Sequence, residues 1–298
     1  MQLRGIFPAL CTAFDERGNF DPARHTVLVE RLIGQGVHGL FAAGTTGEFP
    51  SLSAPERERL LETVISAARG RVPVIVHVGS FDPREATRLA RHAVAAGAAG
   101  VSAIPPIYYR LRDEEVLSHY RAVARAAEPL PFYVYHIPDL TRVPATRPLL
   151  EGLLGIPNFA GLKWSDPDLH GLGRAVELLG DRADILAGKD ETLLPALCMG
   201  ARGAIGSTYN FIAPWFVGVW DAFGKGDLAA ARSLQARANR VIEVGLKWDP
   251  GPPSWKAGAH WVGTDCGDPR PPLRRFAPGE LRALEKDLEA SGVPRGGL

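Results

Sequence analysis

A lysine lies in the middle of an apolar, strand-like segment, 159-FAGLKWSD-166. A lysine side chain is almost never fully buried unless its charge is paired. A buried amine can also attack a carbonyl carbon and form a Schiff base. Such an amine must be neutral, and a lysine with the ordinary pKa of about 10.4 is neutral in about one molecule in 2,500 at pH 7. Burial favours the neutral amine and a neighbouring carboxylate favours an ion pair, so Lys163 alone leaves both chemistries open.

Other polar residues follow strand-like segments along the chain. They include hydroxyls that could bind an anion, tyrosines that could carry a proton, and carboxylates that could accept hydrogen bonds. These residues are 44-GTTGE-48, Tyr108 and Tyr109, 133-YVYHIP-138, Lys163 with Ser165, 188-GKDE-191 and 206-GSTYN-210.

The elements that must position these residues are short apolar strands that alternate with amphipathic helices. The helical period is clear over 54–70, where Gly70 is expected to end the helix, and over 83–97, which opens on proline and closes on glycine. Eight such units favour a closed (β/α)8 barrel, the TIM barrel of the α/β class, over an open doubly wound sheet. The predicted strands lie in 5–14, 39–44, 72–79, 100–105, 131–137, 159–165, 184–188 and 203–208.

In such a barrel the loops after the strands form a single face, which therefore collects the polar residues named above. We expect residues 1–225 to form this barrel as one catalytic domain and 226–298 to form a C-terminal helical extension packed on it. Within the extension, helices are predicted at 226–246 and 279–290. Proline-rich segments at 249–255 and 268–278 are expected to connect them.

The composition argues against several classes of function. The 298 residues carry 34 basic and 33 acidic side chains and no basic block, so no nucleic-acid partner is expected. Apolar runs fall far short of the ~20 residues that span a bilayer, so no membrane partner is expected either. Three widely spaced cysteines without a C-x-x-C motif indicate reduced thiols and predict a cytoplasmic protein. There is no dinucleotide or P-loop fingerprint, and we expect neither cofactor nor metal.

Three motifs in one order, 44-GTTGE-48, 135-YHIP-138 and 161-GLKWS-165, resemble the pyruvate-dependent class I aldolase family of dihydrodipicolinate synthase and N-acetylneuraminate lyase. The resemblance covers most of the chain and weakens in its carboxy-terminal part. It implies an enzyme, a carbon–carbon lyase that works without a cofactor. The implied substrates are small molecules, pyruvate and an aldehyde or sugar acid, and the implied assembly is a homotetramer.

The resemblance also implies roles for individual residues. Lys163 matches the family's Schiff-base lysine, and Tyr135 matches the tyrosine that carries protons during the reaction. Thr45 and Thr46 match hydroxyls that hold the substrate carboxylate together with neighbouring backbone N–H groups. Tyr109 matches a tyrosine that reaches across a subunit interface, and Thr46 and Tyr109 are the candidates for a proton relay to Tyr135.

The residues themselves leave other roles open. Gly47 and Glu48 are expected to shape the loop, as a turn that needs glycine and a carboxylate that accepts backbone N–H bonds. Thr45 and Thr46 could instead cap the next helix, and Tyr135 could be a core aromatic residue with a satisfied hydroxyl.

Within the family, the sequence favours a sugar-acid lyase. Synthases resemble Y-N-V-P-x-R-T at the tyrosine motif, and Leu140 stands where that arginine would hold the acceptor's carboxylate. We therefore expect cleavage of an N-acetylneuraminate-like 2-oxo sugar acid to pyruvate and an aldehyde. The alternatives are dihydrodipicolinate synthase, acting on aspartate semialdehyde, and a 2-keto-3-deoxy sugar acid aldolase or dehydratase. By the match to lyase motifs, the acceptor pocket is lined by Ser165, Gly188, Asp190, Glu191 and Ser207.

Several further interpretations remain. Asp166, Asp168 and His170 alternate and could bind the metal of a class II aldolase, although a helix N-cap explains the aspartates equally well. His136 stands where the family usually has asparagine, which leaves the acceptor open. His77, within the third strand, is expected to be a core histidine with satisfied nitrogens. A barrel that only binds a 2-oxo acid, without catalysis, is the alternative of another class, and the intact lysine–tyrosine pair argues against it.

Overall fold

A computed structural model describes residues 3–298. Eight parallel strands form one sheet, with helices in the connections between them. Every strand lies inside its predicted segment. The strands are β1 (Gly5–Pro8), β2 (Leu40–Ala42), β3 (Val74–His77), β4 (Gly100–Ala103), β5 (Phe132–His136), β6 (Phe159–Trp164), β7 (Asp184–Ala187) and β8 (Gly203–Gly206).

The sheet closes on itself. Strands β2 to β8 pair in sequence order, and β1 pairs with β8, with Gly5 opposite Gly203. On the other side of β1, the Leu10 N–H donates to the Phe41 carbonyl at 2.9 Å, and Ala9 forms a parallel bridge with Phe41. The predicted (β/α)8 barrel is therefore confirmed, and the open doubly wound alternative is wrong.

The barrel wall separates two apolar regions, because successive side chains of a strand point to opposite faces. Most buried side chains fill the layer between strands and helices, while a smaller cluster fills the barrel interior. Tyr133 and Tyr135 of β5 belong to the interior cluster. The β5–β6 register places Tyr135 opposite Lys163, so the lysine faces the interior as well.

Helix α2 (Ala54–Ala68) shows how nearby residues set the ends of a helix. Ser53 and Glu56 form a reciprocal capping box at the start of α2, as expected of this pair. The helix ends at Ala68, two residues before the predicted Gly70, because Arg69 already adopts the left-handed conformation. The barrel helices are α1 (Pro22–Gly34), α2 (Ala54–Ala68), α3 (Pro83–Ala96), α4 (Asp113–Ala126), α5 (Pro138–Thr141), α6 (Arg147–Leu153), α7 (Leu169–Leu179), α8 (Leu193–Cys198) and α9 (Tyr209–Gly224).

The remaining chain forms α10 (Leu228–Trp248), α11 (Pro252–Trp261) and α12 (Pro278–Ala290). The first and last agree with the predicted helices. Helix α11 was not predicted, because its first four residues, which begin with two prolines, belong to a proline-rich stretch that we expected to be a connection. Proline is tolerated in the first turn of a helix, where its missing N–H leaves no bond unmade. Among residues 3–298, no helix is long and apolar enough to cross a membrane.

Candidate active site

Lys163 lies in the carboxyl-terminal half of β6 and is only 4% exposed. Its Nζ is 4.0 Å from the centroid of the Tyr135 ring and 4.8 Å from that of Phe41. An ammonium group over aromatic faces is attracted by the ring quadrupoles, while a neutral amine packs there without an ionic partner. The two aromatic side chains therefore hold the amine in place near the carboxyl ends of the barrel strands.

A second buried lysine provides a comparison. Lys256 is 3% exposed, and its Nζ lies 2.7 Å from a carboxylate oxygen of Glu48. No ion pair among residues 3–298 includes Lys163. Of the two buried lysines, it is therefore Lys256 that forms the kind of ion pair that the sequence left open for Lys163.

Tyr135 is the partner that the barrel brings to this amine. Its hydroxyl lies 3.2 Å from the Thr45 Oγ1. Burial raises the pKa of the Tyr135 phenol, but the charge on Lys163 and hydrogen bonds with Thr45, Lys163 and Ser165 outweigh burial, so its pKa lies below the usual value. A phenol with a lowered pKa exchanges its proton more readily near neutral pH, as a proton carrier must.

The loop after β2 carries the two threonines that were expected to hold a carboxylate. The Thr46 Oγ1 is bonded to the Ser207 Oγ at 2.6 Å, so the hydroxyl that reaches Tyr135 belongs to Thr45. Thr12 donates to the Gly47 carbonyl at 2.6 Å and fixes the middle of the loop. Neither threonine side chain caps the following 3-10 turn, which has no side-chain cap.

Both ends of this loop have an unusual backbone conformation. Ala43 has φ 55° and Glu48 has φ 57°, in the left-handed region that favours glycine. Such residues persist only where their surroundings fix them. The His77 Nδ1 is 3.1 Å from the Ala43 carbonyl, and its Nε2 accepts the Ile104 N–H at 3.3 Å. His77 is thus the predicted core histidine with satisfied nitrogens, and its contact with Ala43 at the loop was not predicted.

The expected acceptor residues lie at the ends of β6 and β7. The Ser165 Oγ is 3.5 Å from the Gly188 carbonyl, and a Cβ on Gly188 would come within 2.0 Å of that Oγ, so a larger residue at 188 would displace the Ser165 hydroxyl. Asp190 is buried, and one of its carboxylate oxygens accepts the N–H and the hydroxyl of Thr208 at 2.8 and 2.6 Å. Burial raises the pKa of Asp190 to about 6 despite these bonds. Glu191 is half-buried, and its backbone carbonyl accepts an amide N–H from Asn239.

Tyr109 lies apart from these residues within the chain. Its side chain is 74% exposed and packs edge-on against Tyr108, which is itself 90% exposed. The structure of the single chain therefore does not bring Tyr109 to Lys163 or Tyr135.

His136 differs from the usual family pattern and Leu140 differs from the synthase motif, and neither residue lies in the barrel interior. The register pairs His136 with Trp164, and the two rings pack 4.5 Å apart on the outer face of the strands. Burial lowers the pKa of His136, although its Nε2 lies 3.5 Å from the Asp166 carboxylate. Leu140 is 58% exposed on α5. The His136 ring therefore packs in the layer between the strands and the helices and does not face the barrel interior.

The aspartates after β6 have roles in the backbone. Asp168 is the N-cap of α7 and accepts the Gly171 N–H at 2.9 Å, and Asp166 accepts the Asp168 N–H at 2.9 Å. The helix-cap interpretation of Asp168 is confirmed. In the described part of the chain, no three His, Cys, Asp or Glu side chains are grouped as a metal site requires.

The fold and this site define a (β/α)8 barrel with a buried, unpaired lysine at its carboxyl-end face. The model of the dihydrodipicolinate synthetase family matches residues 2–291. The N-acetylneuraminate lyase of Rhizobium meliloti is 40% identical over 286 residues, which cover 96% of this chain and 94% of the relative.

Solved structures agree with the sequence comparison. Dihydrodipicolinate synthase DapA-2 from Bacillus anthracis is similar with a TM-score of 0.93 and 29% identity, covering 99% of this chain and 100% of that one. YagE, a prophage protein of the dihydrodipicolinic acid synthase family from Escherichia coli in complex with pyruvate, has a TM-score of 0.93 and 27% identity, covering 98% and 99%. The chain belongs to the dihydrodipicolinate synthetase family, and the prediction of an enzyme, a carbon–carbon lyase, is confirmed.

Proposed function

We propose that this protein is a class I aldolase that cleaves a 2-oxo sugar acid similar to N-acetylneuraminate into pyruvate and an aldehyde. The observation that carries the proposal is the Lys163 amine, buried beside Tyr135 without a carboxylate partner. The relative from Rhizobium meliloti bears the name of this activity, and the solved YagE structure is a complex with pyruvate. A silent binding barrel would not need the amine and the phenol side by side.

The reaction follows from the chemistry of the two groups. The neutral Lys163 amine adds to the ketone carbon C2 to give a carbinolamine. Tyr135 donates its phenolic proton to the departing hydroxyl, so loss of water gives a protonated Schiff base and leaves Tyr135 as a phenolate. Tyr135 takes the proton of the C4 hydroxyl as the C3–C4 bond breaks, and the bonding electrons move into the Schiff base to give an enamine. The aldehyde then leaves, and C3 takes up the proton that Tyr135 holds. Water hydrolyses the Schiff base to release pyruvate and the free amine, and the proton set free in this step returns to Tyr135.

The Thr45 and Thr46 loop is proposed to hold the carboxylate of the 2-oxo acid. Hydroxyl and backbone N–H groups that are already fixed need little reorganisation when the anion binds. Thr45 also contacts the Tyr135 hydroxyl, so carboxylate binding and proton transfer share one side chain. The cytoplasmic location, the division at residue 225 and the homotetramer remain predictions, with exposed Tyr109 as the residue that would reach a neighbour.

The proposed function is tested by borohydride reduction in the presence of pyruvate. An adduct is expected on the peptide that contains Lys163, because reduction makes a Schiff base permanent. Lys256 should carry none, because it is buried on α11 and its Nζ is bound to the Glu48 carboxylate. Absence of an adduct on Lys163 would contradict the proposal. EDTA should change neither the adduct nor the turnover, and inhibition reversed by a divalent metal would instead favour the class II interpretation.

A polyhydroxylated acceptor is the finer part of the proposal. The free oxygen of Asp190 and the Glu191 carboxylate would accept hydrogen bonds from sugar hydroxyls, while repelling an anionic acceptor. The sequence motif supports the same choice, because Leu140 stands where the synthase motif has the arginine for an acceptor carboxylate. Release of pyruvate should be compared across N-acetylneuraminate and 2-keto-3-deoxy sugar acids. If pyruvate condenses with aspartate semialdehyde far better than any sugar acid is cleaved, the synthase assignment replaces this one.

Amide variants of the two acids should separate acceptor binding from Schiff-base formation. Asp190→Asn and Glu191→Gln are each expected to lower kcat/KM for sugar-acid cleavage by about 10–10³-fold, because an amide pairs poorly with a hydroxyl network built for a carboxylate. Pyruvate trapping at Lys163 should stay near the wild-type level. Assays at pH 8 keep Asp190 ionised, since its pKa is about 6.

The matched control for these variants is Glu177→Gln on α7, whose side chain is 77% exposed. This control should cleave the sugar acid at the wild-type rate. Equal losses of trapping and cleavage in the Asp190 and Glu191 variants would show that these acids shape the whole site and do not bind the acceptor.

A further inference from the structure

The last residue of the loop that carries Thr45 and Thr46 is held from the C-terminal part of the chain. Glu48 and Lys256 form an ion pair at 2.7 Å, with side chains 1% and 2% exposed. Lys256 belongs to α11, beyond the eight βα units. Its Nζ also donates to the Asp268 carbonyl at 3.1 Å and lies 4.1 Å from the centroid of the Phe14 ring.

The backbone of Arg270 makes a second contact with the Glu48 carboxylate. Its N–H donates to the Glu48 Oε2 at 2.8 Å. Its guanidinium donates to the Gly18 carbonyl at 2.6 Å and to the Ser51 carbonyl at 2.7 Å, and it pairs with Glu56. The two contacts on Glu48 therefore both come from the C-terminal part of the chain. Arg270 is itself bound to Gly18, which precedes the loop, and to Ser51, which follows it.

The cost of such a pair indicates that it does more than stabilise the fold. Two buried charges recover the free energy of leaving water only if their geometry is good, so a buried ion pair is weak evidence of stability. In some proteins such a pair serves instead to fix one arrangement of the chain. Here the arrangement that it fixes is a left-handed residue, Glu48, two positions after Thr46. The Glu48 N–H also donates to the Thr45 carbonyl at 3.0 Å, so rotation of Glu48 would move both threonines.

We infer that Lys256 and Arg270 are positioning residues, which hold the carboxylate-binding loop in its productive conformation through Glu48. This inference rests on the proposed function, because the loop is the element proposed to bind the carboxylate of the 2-oxo acid. Lys163 and Tyr135 stand on β6 and β5 and do not depend on the loop for their place in the barrel. Loss of the ion pair therefore weakens pyruvate binding more than it slows the chemistry of bound pyruvate.

The test is a pyruvate titration of borohydride trapping at Lys163, which needs no knowledge of the aldehyde. Lys256→Met keeps the length of the side chain and leaves Glu48 buried without its cation. The pyruvate concentration at half-maximal trapping should rise by about 10–100-fold, because a displaced loop misplaces its donors. The yield at saturating pyruvate should stay close to the wild-type yield. The double variant Glu48→Gln/Lys256→Met removes both charges and should recover most of the affinity.

Arg202→Met is the matched control. It breaks a comparable pair with buried Asp184, where Nη1 and Oδ1 are 2.9 Å apart at the amino end of β7. This variant should lower thermal stability and leave the half-saturating pyruvate concentration unchanged. If it raises that concentration as much as Lys256→Met does, the effect is general loosening and the inference is overturned.

The remaining outcomes also decide the question. A folded Lys256→Met protein with wild-type half-saturation overturns the inference. If Lys256→Met does not fold, Glu48→Gln, which keeps an acceptor for the Arg270 N–H, decides in its place: raised half-saturation supports the inference and an unchanged value overturns it. If the wild type forms no adduct at any pyruvate concentration, the proposed function is overturned and this inference with it. If the adduct forms but its dependence on pyruvate concentration does not change in the Lys256 variant, only the inference is overturned.

Discussion

Replacement of Lys163 by arginine is expected to lower sugar-acid cleavage by at least about 10⁴-fold, the scale of losing a covalent nucleophile. Arginine keeps the positive charge beside Tyr135 and Phe41, but a guanidinium stays protonated in proteins and cannot attack a ketone. The variant therefore separates the nucleophile from the charge. Turnover is measured as pyruvate released under saturating substrate, and trapping at residue 163 should disappear.

Lys163 is only 4% exposed, and arginine is larger than lysine. A second variant therefore distinguishes loss of the nucleophile from misfolding. Lys163→Met matches the stem of lysine and should be equally inactive, with a thermal midpoint near that of the wild type. Lys225→Arg, on an exposed residue that follows α9, is the control for the substitution itself and should retain full activity. Cleavage by Lys163→Arg within tenfold of the wild type would remove the lysine from the mechanism.

Tyr135→Phe is expected to lower cleavage by about 10²–10⁴-fold, the usual effect of losing a general acid–base group. The ring that packs against the Lys163 amine is kept, while the hydroxyl bonded to Thr45 is lost. Pyruvate binding should suffer less than turnover, because the loop that holds its carboxylate keeps its own contacts. The measurement compares kcat for cleavage with the pyruvate concentration at half-maximal trapping.

Tyr133 offers a matched control on the same strand. It belongs to the same interior cluster two residues earlier, and its hydroxyl lies near Asp184, away from Lys163. Tyr133→Phe should therefore change turnover by less than about threefold, within the small effects of substitutions outside the reacting groups. A loss in this control equal to that of Tyr135→Phe would point to packing of the barrel interior and not to proton transfer.

The local pattern of the sequence predicted the elements well, and for a physical reason. Strand and helix depend on side-chain periodicity and on nearby caps and glycines, all of which lie within a few residues of one another. The eight strands were found inside their predicted segments, and α3 runs from Pro83 to the cap at Gly97 as expected. The failure at α11 is equally local, because proline opens a helix as readily as it interrupts one.

The candidate site was predicted as a set of residues, while its contacts were decided by the tertiary structure. The order of the strands already placed Lys163 and Tyr135 at one end of a barrel. Barrel closure and strand register then determined that Thr45, and not Thr46, reaches the phenol, and that His136 faces the outer wall.

The ion pairs of the buried lysines were likewise decided by the tertiary structure, although the sequence supplied the residues. The sequence indicated that a buried lysine either pairs with an acid or takes part in a reaction. It could not indicate which acid pairs with which lysine. Glu48 is paired with Lys256, more than 200 positions away, and within residues 3–298 no carboxylate pairs with Lys163. Contacts between residues so distant in the chain depend on how the C-terminal helices pack behind the barrel. The sequence thus determined which groups are available for chemistry, and the packing decided which lysine is neutralised by an acid and which one is left free to react.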